Sequence, residues 1–326
     1  MLFIHQYPDW THFRYDLHAV MQELAKVRAL QGRFSGKVNF ALGEEKSKKY
    51  RLRDWKALFA IDGIQGDIRS FVSDMLTDFK ATLGIRELCL LHGALGYSGY
   101  LRENSLEGIT FFDKRGEKVV FSGVSPNRIQ AELSLLLDFF NTTDSDPVLS
   151  AAIVHFWFLT IRPFQSGNGC IARVLSDLLL SRSEGSAYRF YSIFERILEN
   201  RSEYFSVLEK TWLGNGDITK WLLWYFEQLN SALRLAEKEW DSELQEAKHR
   251  LFFGELSLSE RELSLLEYMR TEKKEISSSE WAEKKEISHD SALRDFKALI
   301  EKGILEKMPQ SRGRNTKYRM KSILSN

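Results

Sequence analysis

The sequence predicts a mainly α-helical chain with one β-hairpin near its middle and a separate small domain at its C-terminus. Apolar residues recur at three- and four-residue steps in many segments, for example from Leu17 to Phe34. Proline is scarce, with 5 in 326 residues, so few of these segments are interrupted. After residue 256, the pattern changes to three short helices followed by a basic hairpin.

The composition is that of an ordinary globular chain. Hydrophobic residues make up 43%, charged residues 28%, and the net charge is +1, so composition alone indicates no polyionic partner. The two cysteines, Cys89 and Cys170, are too few for a disulfide framework. The first residues lack the charged and apolar regions of a signal peptide, and no apolar run approaches ~18 residues. We therefore expect a cytoplasmic protein without a membrane partner.

The first half of the chain predicts helices that lead into the hairpin. The hairpin consists of two β-prone runs, Ile109 to Asp113 and Glu117 to Phe121, around a turn containing Gly116. The helices preceding it are predicted at Leu17 to Phe34, Leu52 to Ile61, Ile68 to Leu83 and Leu88 to Leu95.

The second half predicts two strongly apolar helices around the segment Thr160 to Arg173. The other helices are predicted at Asn127 to Phe140, Ala187 to Tyr204 and Asp217 to Phe226, with a charge-rich helix from Leu235 to Arg250.

The segment between the two apolar helices contains Gly167, Asn168 and Gly169. Two glycines in one turn allow positive φ and close approach of a ligand. The backbone N–H groups of the following helix would form an anion site, with Arg173 one turn further on. The alternative is a glycine-rich corner between two core helices.

This segment resembles the signature loop of the Fic family, HPFxDGNGRxxR. Three positions depart from it: Arg162 replaces the His, Ser166 the acid and Cys170 the first Arg. The matching positions are Pro163, Phe164, Gly167, Asn168, Gly169 and Arg173.

The resemblance extends over roughly residues 5 to 235 and implies a Fic (Fido) helical core with the hairpin as its flap. The opening, PDWTHFRYD followed by a helix ending in QGR, is similar to a small domain found in many Fic proteins. The domains are then a Fic-type N-terminal helical domain (1–67), a Fic-like core (68–234), a connecting helix (235–256) and a winged helix-turn-helix (257–326).

The resemblance implies transfer of AMP from ATP to a protein hydroxyl. The family's loop His is the base, the loop acid holds Mg²⁺, and arginines bind phosphates. Arg162 cannot be a base because a guanidinium stays protonated, although it could bind a phosphate and block a target hydroxyl. Ser166 would hold Mg²⁺ weakly, and Cys170 fits a small buried residue better than a reactive thiol.

We therefore assign no catalytic residue and no metal site. The expected nucleotide-binding residues are Gly167, Asn168, Gly169 and Arg173, with ATP or another nucleotide as ligand and with Mg²⁺ doubtful. Neither His92 nor His155 supplies a replacement base, since His155 lies in the apolar run and His92 cannot be placed.

Two further features follow from the resemblance. Asp62 and Gly63 are interpreted as the remnant of an inhibitory motif whose acid pairs with Arg173, with a helix C-terminal turn as the alternative. The hairpin at 109–121 would bind a protein partner by strand addition, and the alternative is an ordinary surface hairpin.

The C-terminal domain predicts DNA binding. Its third helix, His289 to Lys302, would enter the major groove, and the basic segment from Lys307 to Lys321 would contact phosphates. The candidate contacts are His289, Arg294, Lys297, Arg312, Arg314 and Lys317. The alternative is a domain for protein contacts or dimerisation, and a homodimer stays open.

The leading hypothesis is a degenerate Fic-like protein, impaired in AMP transfer, that acts as a DNA-binding regulator. Its core would be a vestigial nucleotide- or partner-binding module. The alternatives are an active nucleotidyl- or phosphoryl-transferase with altered chemistry, and a protein-interaction pseudoenzyme.

Overall fold

The computed structural model describes residues 2–41, 53–63, 79–106, 108–112, 115–187, 189–254, 258–309 and 316–321, without the side chains at 37, 39–41 and 242–254. The described part is mainly helical and divides into two compact units, residues 1–239 and 240–326. Most of the helix predicted at Ile68 to Leu83 lies outside the described residues, as do Arg312 and Arg314. Residues 79–83 of that segment form a turn and irregular structure.

The first unit contains one β-hairpin among helices. Its elements are α1 (Leu17–Ala41), α2 (53–60), α3 (Ile85–Ala94), β1 (Ile109–Phe112), β2 (Lys118–Phe121), α4 (Ile129–Thr142), α5 (Pro147–Ile161), α6 (Asn168–Glu184), α7 (Ile193–Glu199), α8 (Arg201–Trp212) and the start of α9 (Thr219–Gly254).

Helices α5 and α6 form the centre of this unit. Every residue of α5 from Val148 to Ile161 is buried, as expected for a helix that is apolar on all sides. Asp146 caps its N-terminus by accepting a hydrogen bond from the Val148 amide at 2.8 Å, and Pro147 occupies the first turn. The loop joining α5 to α6 is therefore held between two rigid, buried elements.

Three helix predictions were wrong in extent. The predicted helix from Ala187 to Tyr204 begins only at Ile193, after Ser192 accepts a hydrogen bond from the Glu195 amide, and it breaks at Asn200 between α7 and α8. The predicted helices Asp217 to Phe226 and Leu235 to Arg250 are one continuous helix, α9. The residues between them contain no glycine or proline to end it.

A buried ionic cluster attaches α2 to the centre. The guanidinium of Arg189 contacts Asp177 on α6 and lies 3.2 Å from Asp54 on α2. Asp54 also accepts hydrogen bonds from the Ser192 hydroxyl (2.6 Å) and the Phe194 amide (3.2 Å). Because these groups are buried, the cluster fixes the position of α2 and of the turn that follows it.

The hairpin pairs β1 with β2 from Ile109 opposite Phe121 to Phe112 opposite Lys118. Phe121 is buried and stacks on Trp212 of α8, with the ring centroids 4.1 Å apart. Phe112 and Val120 are exposed, so one face of the hairpin packs on the unit and the other faces solvent.

The described part of the second unit contains the end of α9, three further helices and a small antiparallel sheet. Its elements are α10 (Glu260–Thr271), β3 (Glu275–Ser277), α11 (Ser278–Lys285), α12 (His289–Glu301), β4 (Leu305–Lys307) and β5 (Lys317–Met320), with sheet order β3-β5-β4. Ser288 caps α12, and Gly303, at φ 75°, follows its end. Among the described residues, no helix is both long and apolar enough to span a membrane.

Candidate functional site

The loop between α5 and α6 is closed by hydrogen bonds within itself. The Asn168 side chain accepts from the Phe164 amide at 2.9 Å and donates to the Phe164 carbonyl at 2.7 Å. Gly167 begins α6 at φ 73°, and a Cβ there would lie 2.6 Å from the Tyr97 ring. Asn168, predicted to bind nucleotide, thus uses its amide to shape the loop, whereas the backbone at Gly167 stays close to the cavity.

His92 packs against this loop and supports it. Its ring stacks on Phe164 with the centroids 3.8 Å apart, its Nδ1 accepts from the Gly99 amide, and its Nε2 donates to the Ser166 carbonyl at 3.0 Å. Burial lowers the pKa of His92 below its usual value, in agreement with a neutral ring in this tautomer. His92 is therefore a structural support and not a base facing a substrate.

Arg173 is fully buried and forms an ion pair with Asp62. Its Nη2 lies 2.6 Å from Asp62 Oδ2, while its Nε and Nη1 have no hydrogen-bond partner among the described residues. A Cβ on Gly169 would lie 2.6 Å from Asp62 Oδ2 and 3.0 Å from Arg173 Nη1. Glycine at 169 thus permits the two charged groups to meet.

The position of Asp62 is set by the turn that ends α2. Gly63 has φ 74°, and the Ile61 carbonyl accepts a hydrogen bond from Arg201 Nε at 2.7 Å. Asp62 and Gly63 form the C-terminal turn of α2, and Asp62 also pairs with Arg173, so the geometry does not choose between the two sequence interpretations.

Cys170 lies beside this ion pair. Its Sγ is 3.4 Å from Asp62 Oδ2 and 3.7 Å from the Tyr97 hydroxyl. Burial, which is the largest effect, raises the pKa of this thiol to about 11. The thiol is therefore neutral at pH 7 and donates to Asp62.

Tyr204 and His155 form a buried pair close enough to Arg173 to be affected by its charge. The Tyr204 hydroxyl is 2.9 Å from His155 Nε2, and both residues are buried. Burial, and secondly the charge of Arg173, lowers the pKa of His155 well below its usual value. His155 is therefore neutral and is separated from the cavity by Tyr204, which lines it.

Arg162 adopts a left-handed conformation (φ 50°) at the end of α5. Its Nη1 donates to the Phe121 carbonyl at 3.0 Å, and its own carbonyl accepts from Arg102 Nε at 2.7 Å. Burial and the charge of Arg102 lower the pKa of Arg162 to about 10. It therefore remains protonated at neutral pH and cannot accept a proton from a substrate hydroxyl.

These groups surround a cavity of about 400 Å³. The lining residues are Asp62, Tyr97, Ile109, Leu159, Arg162, Ser166, Gly167, Asn168, Gly169, Arg173, Tyr204, Phe205, Leu208 and Trp212. No histidine is among them. Two guanidinium groups and the N-terminus of α6 favour an anion in this cavity. The part of the chain that the structure describes has no cluster of three or more His, Cys, Asp or Glu suited to a metal ion.

The sequence did not identify Tyr97 and Tyr204 as site residues. They reach the cavity from the segment after α3 and from α8, and neither position has a pattern in the sequence that marks it. The predicted DNA contacts lie in the second unit, where His289, Arg294 and Lys297 are exposed on α12 and Lys317 is exposed on β5.

Comparisons with known proteins identify this region. Residues 82–180 match the family model "Fic/DOC family", and residues 3–57 match a "Domain of unknown function (DUF4172)". The curated relatives include the protein adenylyltransferases fic-1 of Caenorhabditis elegans (34% identical over 98 residues) and Caenorhabditis briggsae (33%). Each match covers 29% of this chain and spans 18% of the relative's length.

Two solved structures share the fold. A Fic family protein from Desulfovibrio desulfuricans aligns over 93% of this chain and 96% of its own, with a TM-score of 0.56 and 19% identity. Fic-1 (residues 134–508) from C. elegans aligns over 68% of this chain and 73% of its own, with a TM-score of 0.51 and 19% identity. Residues 82–180 therefore match the Fic/DOC family model, and the two solved structures share the fold of this chain.

Proposed function

We propose that the core binds the phosphate groups of a nucleotide without transferring them to a protein. The observation that carries this proposal is Arg173, a fully buried guanidinium whose Nε and Nη1 have no hydrogen-bond partner among the described residues. Such a group favours an anion that accepts from it in the cavity. The curated relatives are named protein adenylyltransferases, so an adenine nucleotide is the first ligand to test.

Transfer to a hydroxyl needs a base near the reacting group, and the cavity lining offers no histidine. Arg162 occupies the relevant end of the loop and stays protonated, so it binds anions but does not accept protons. Ser166 gives a metal ion a neutral oxygen only, which weakens Mg²⁺ binding. These features support a site that retains binding and has lost, or strongly reduced, AMP transfer.

The experiment measures binding and transfer together. α-Labelled ATP is incubated with the full chain and candidate target proteins, and both equilibrium binding and acid-stable label are counted. We expect saturable binding without covalent label. Incorporation into any protein that disappears in the variant Arg173→Ala would support the alternative, a transferase that uses altered chemistry.

We further propose that the second unit binds DNA through α12 and the β4–β5 hairpin, as a winged helix does. Arg294 and Lys297 are exposed one turn apart on α12, and neither forms an ion pair with a described residue. Their charges are therefore available for phosphate or base contacts. With the nucleotide-binding core, this unit would make the protein a ligand-responsive DNA-binding regulator.

Gel shift with the full chain tests this second function. The double variant Arg294→Ala/Lys297→Ala should weaken DNA binding. It should also make the dependence of log K on log salt less steep, by about one for each phosphate that the protein no longer binds. Lys220→Ala, an exposed lysine on α9, is the matched control and should bind as the wild type does. Equal DNA binding by all three proteins would contradict this role for α12. Protein contacts, at the second unit or at the exposed face of the 109–121 hairpin, would then explain the protein's function better.

A further inference from the structure

Arg162 carries a positive charge that no described residue neutralises. Among the described residues, its guanidinium makes one hydrogen bond, from Nη1 to the Phe121 carbonyl. No described carboxylate lies within ion-pair distance of it. The charge that, after burial, lowers its pKa is that of another cation, Arg102. Arg102 is itself occupied by backbone carbonyls, among them those of Arg162 and Asn104.

The charges that line the cavity do not balance. Asp62 is the one described carboxylate in the lining, and it is paired with Arg173. Arg162 lines the same cavity but has no described carboxylate to balance its charge, and the N-terminal dipole of α6 adds further positive potential. An unpaired charge that is partly buried is costly, so the site favours an additional anionic group at Arg162.

The two guanidinium groups are separated by the loop itself. Arg162 ends α5 before the loop, and Arg173 lies in the second turn of α6 after it. The hydrogen bond to Phe121 orients Arg162 at the edge of the cavity nearest the hairpin, where Ile109 also contributes to the lining. A single phosphate at Arg173 would therefore leave the charge of Arg162 unmatched.

We propose that Arg162 is a second anion-binding residue of the cavity, which selects ligands with two or more linked phosphate groups over monophosphates. The inference rests on the proposed function, because it takes the Arg173 site to be the first phosphate contact. One phosphate binds at Arg173 and the α6 N-terminus, and the next is bound by Arg162.

The test is a calorimetric titration of AMP, ADP and ATP into the full chain, into Arg162→Gln and into Arg234→Gln. Glutamine at 162 can still donate to the Phe121 carbonyl, so it removes the charge with little change to the hairpin contact. Arg234 is exposed on α9 and does not line the cavity, so its variant controls for the loss of one positive charge. Thermal unfolding of each protein checks the fold.

We expect the wild type and Arg234→Gln to bind ADP at least about tenfold more tightly than AMP, as the gain of one charge-assisted hydrogen bond implies. Arg162→Gln should lose most of this preference while its affinity for AMP changes by less than about threefold. If Arg162→Gln unfolds more readily, Arg162→Lys replaces it and should keep the preference for ADP.

An unchanged ratio of ADP to AMP affinity in Arg162→Gln would overturn the inference and leave the proposed function standing. If no nucleotide binds to the wild type or to any variant, the proposed function itself fails. The two failures are therefore distinguishable.

Discussion

Asp62 competes with a bound anion for the same guanidinium, so its neutral variant should bind nucleotide more tightly. In the structure, Asp62 Oδ2 lies 2.6 Å from Arg173 Nη2 and 3.4 Å from Cys170 Sγ. The substitution Asp62→Asn keeps the size of the side chain and one acceptor oxygen but removes the negative charge. A phosphate that approaches Arg173 then meets no repulsion and displaces a weaker partner.

The magnitude follows from the burial of the pair. A hydrogen bond to a charged group contributes about 1.5–3 kcal/mol. The Arg173 side chain is fully buried, whereas that of Asp62 is 25% exposed, so solvent screens the pair and the lower end of the range applies. Removing about 1.5 kcal/mol of competition should raise nucleotide affinity roughly tenfold. The free protein should lose stability, because a buried guanidinium keeps only a neutral partner.

The assay is a titration of ATP into wild type and Asp62→Asn, with thermal unfolding measured in the absence and presence of saturating ATP. The variant should unfold at a lower temperature when free, and saturating ATP should raise its unfolding temperature by more than it raises that of the wild type. Asp144→Asn, a substitution outside the cavity lining, serves as the charge control. Equal ATP affinity in wild type and Asp62→Asn would refute the competition between Asp62 and the ligand.

Three further predictions concern groups around the site. Burial lowers the pKa of His92 in the folded state, so the unfolded chain takes up more protons below about pH 6.5 and the free energy of unfolding falls as pH falls. The variant His92→Gln should reduce this pH dependence in urea unfolding, and an unchanged pH dependence would contradict the prediction. Cys170 should resist iodoacetamide at pH 8 in the native protein while the less buried Cys89 reacts faster, as mass spectrometry would show; equal labelling rates would count against a buried, protonated thiol. Arg189→Ala should lower the free energy of unfolding by about 3–5 kcal/mol because it removes the cation that contacts two buried carboxylates, whereas Arg33→Ala, from an exposed pair, should cost under about 1 kcal/mol; similar costs in chemical denaturation would refute this view of the Arg189 cluster.

The local parts of the fold were predictable because they depend on residues close together in the sequence. The apolar pattern predicted α5, the two β-prone runs predicted the hairpin, and Ser288 with Gly303 marked the limits of α12. The predicted helix from Ala187 to Tyr204 failed because Ser192 caps a new helix with the help of Asp54, which is distant in sequence.

The site was predictable only in part for the same reason. The loop glycines and Arg173 followed from the local motif, but no local pattern shows how closely the Asp62 side chain approaches Arg173. In the structure, the two side chains meet where Gly169 has no Cβ to separate them. The contact of Tyr97 with Gly167 depends on tertiary packing, and no local pattern predicts it.

The most direct test of a phosphate-binding core is calorimetric titration of ATP, with and without Mg²⁺, into wild type and Asp62→Asn/Arg173→Gln. The double variant removes both charges of the pair, so neither partner is left with an unmatched charge. We expect saturable ATP binding by the wild type that depends little on Mg²⁺, and loss of binding in the double variant with the fold preserved. Equal binding by both proteins, or none by the wild type at millimolar ATP, would contradict the assignment of Arg173 as the phosphate contact.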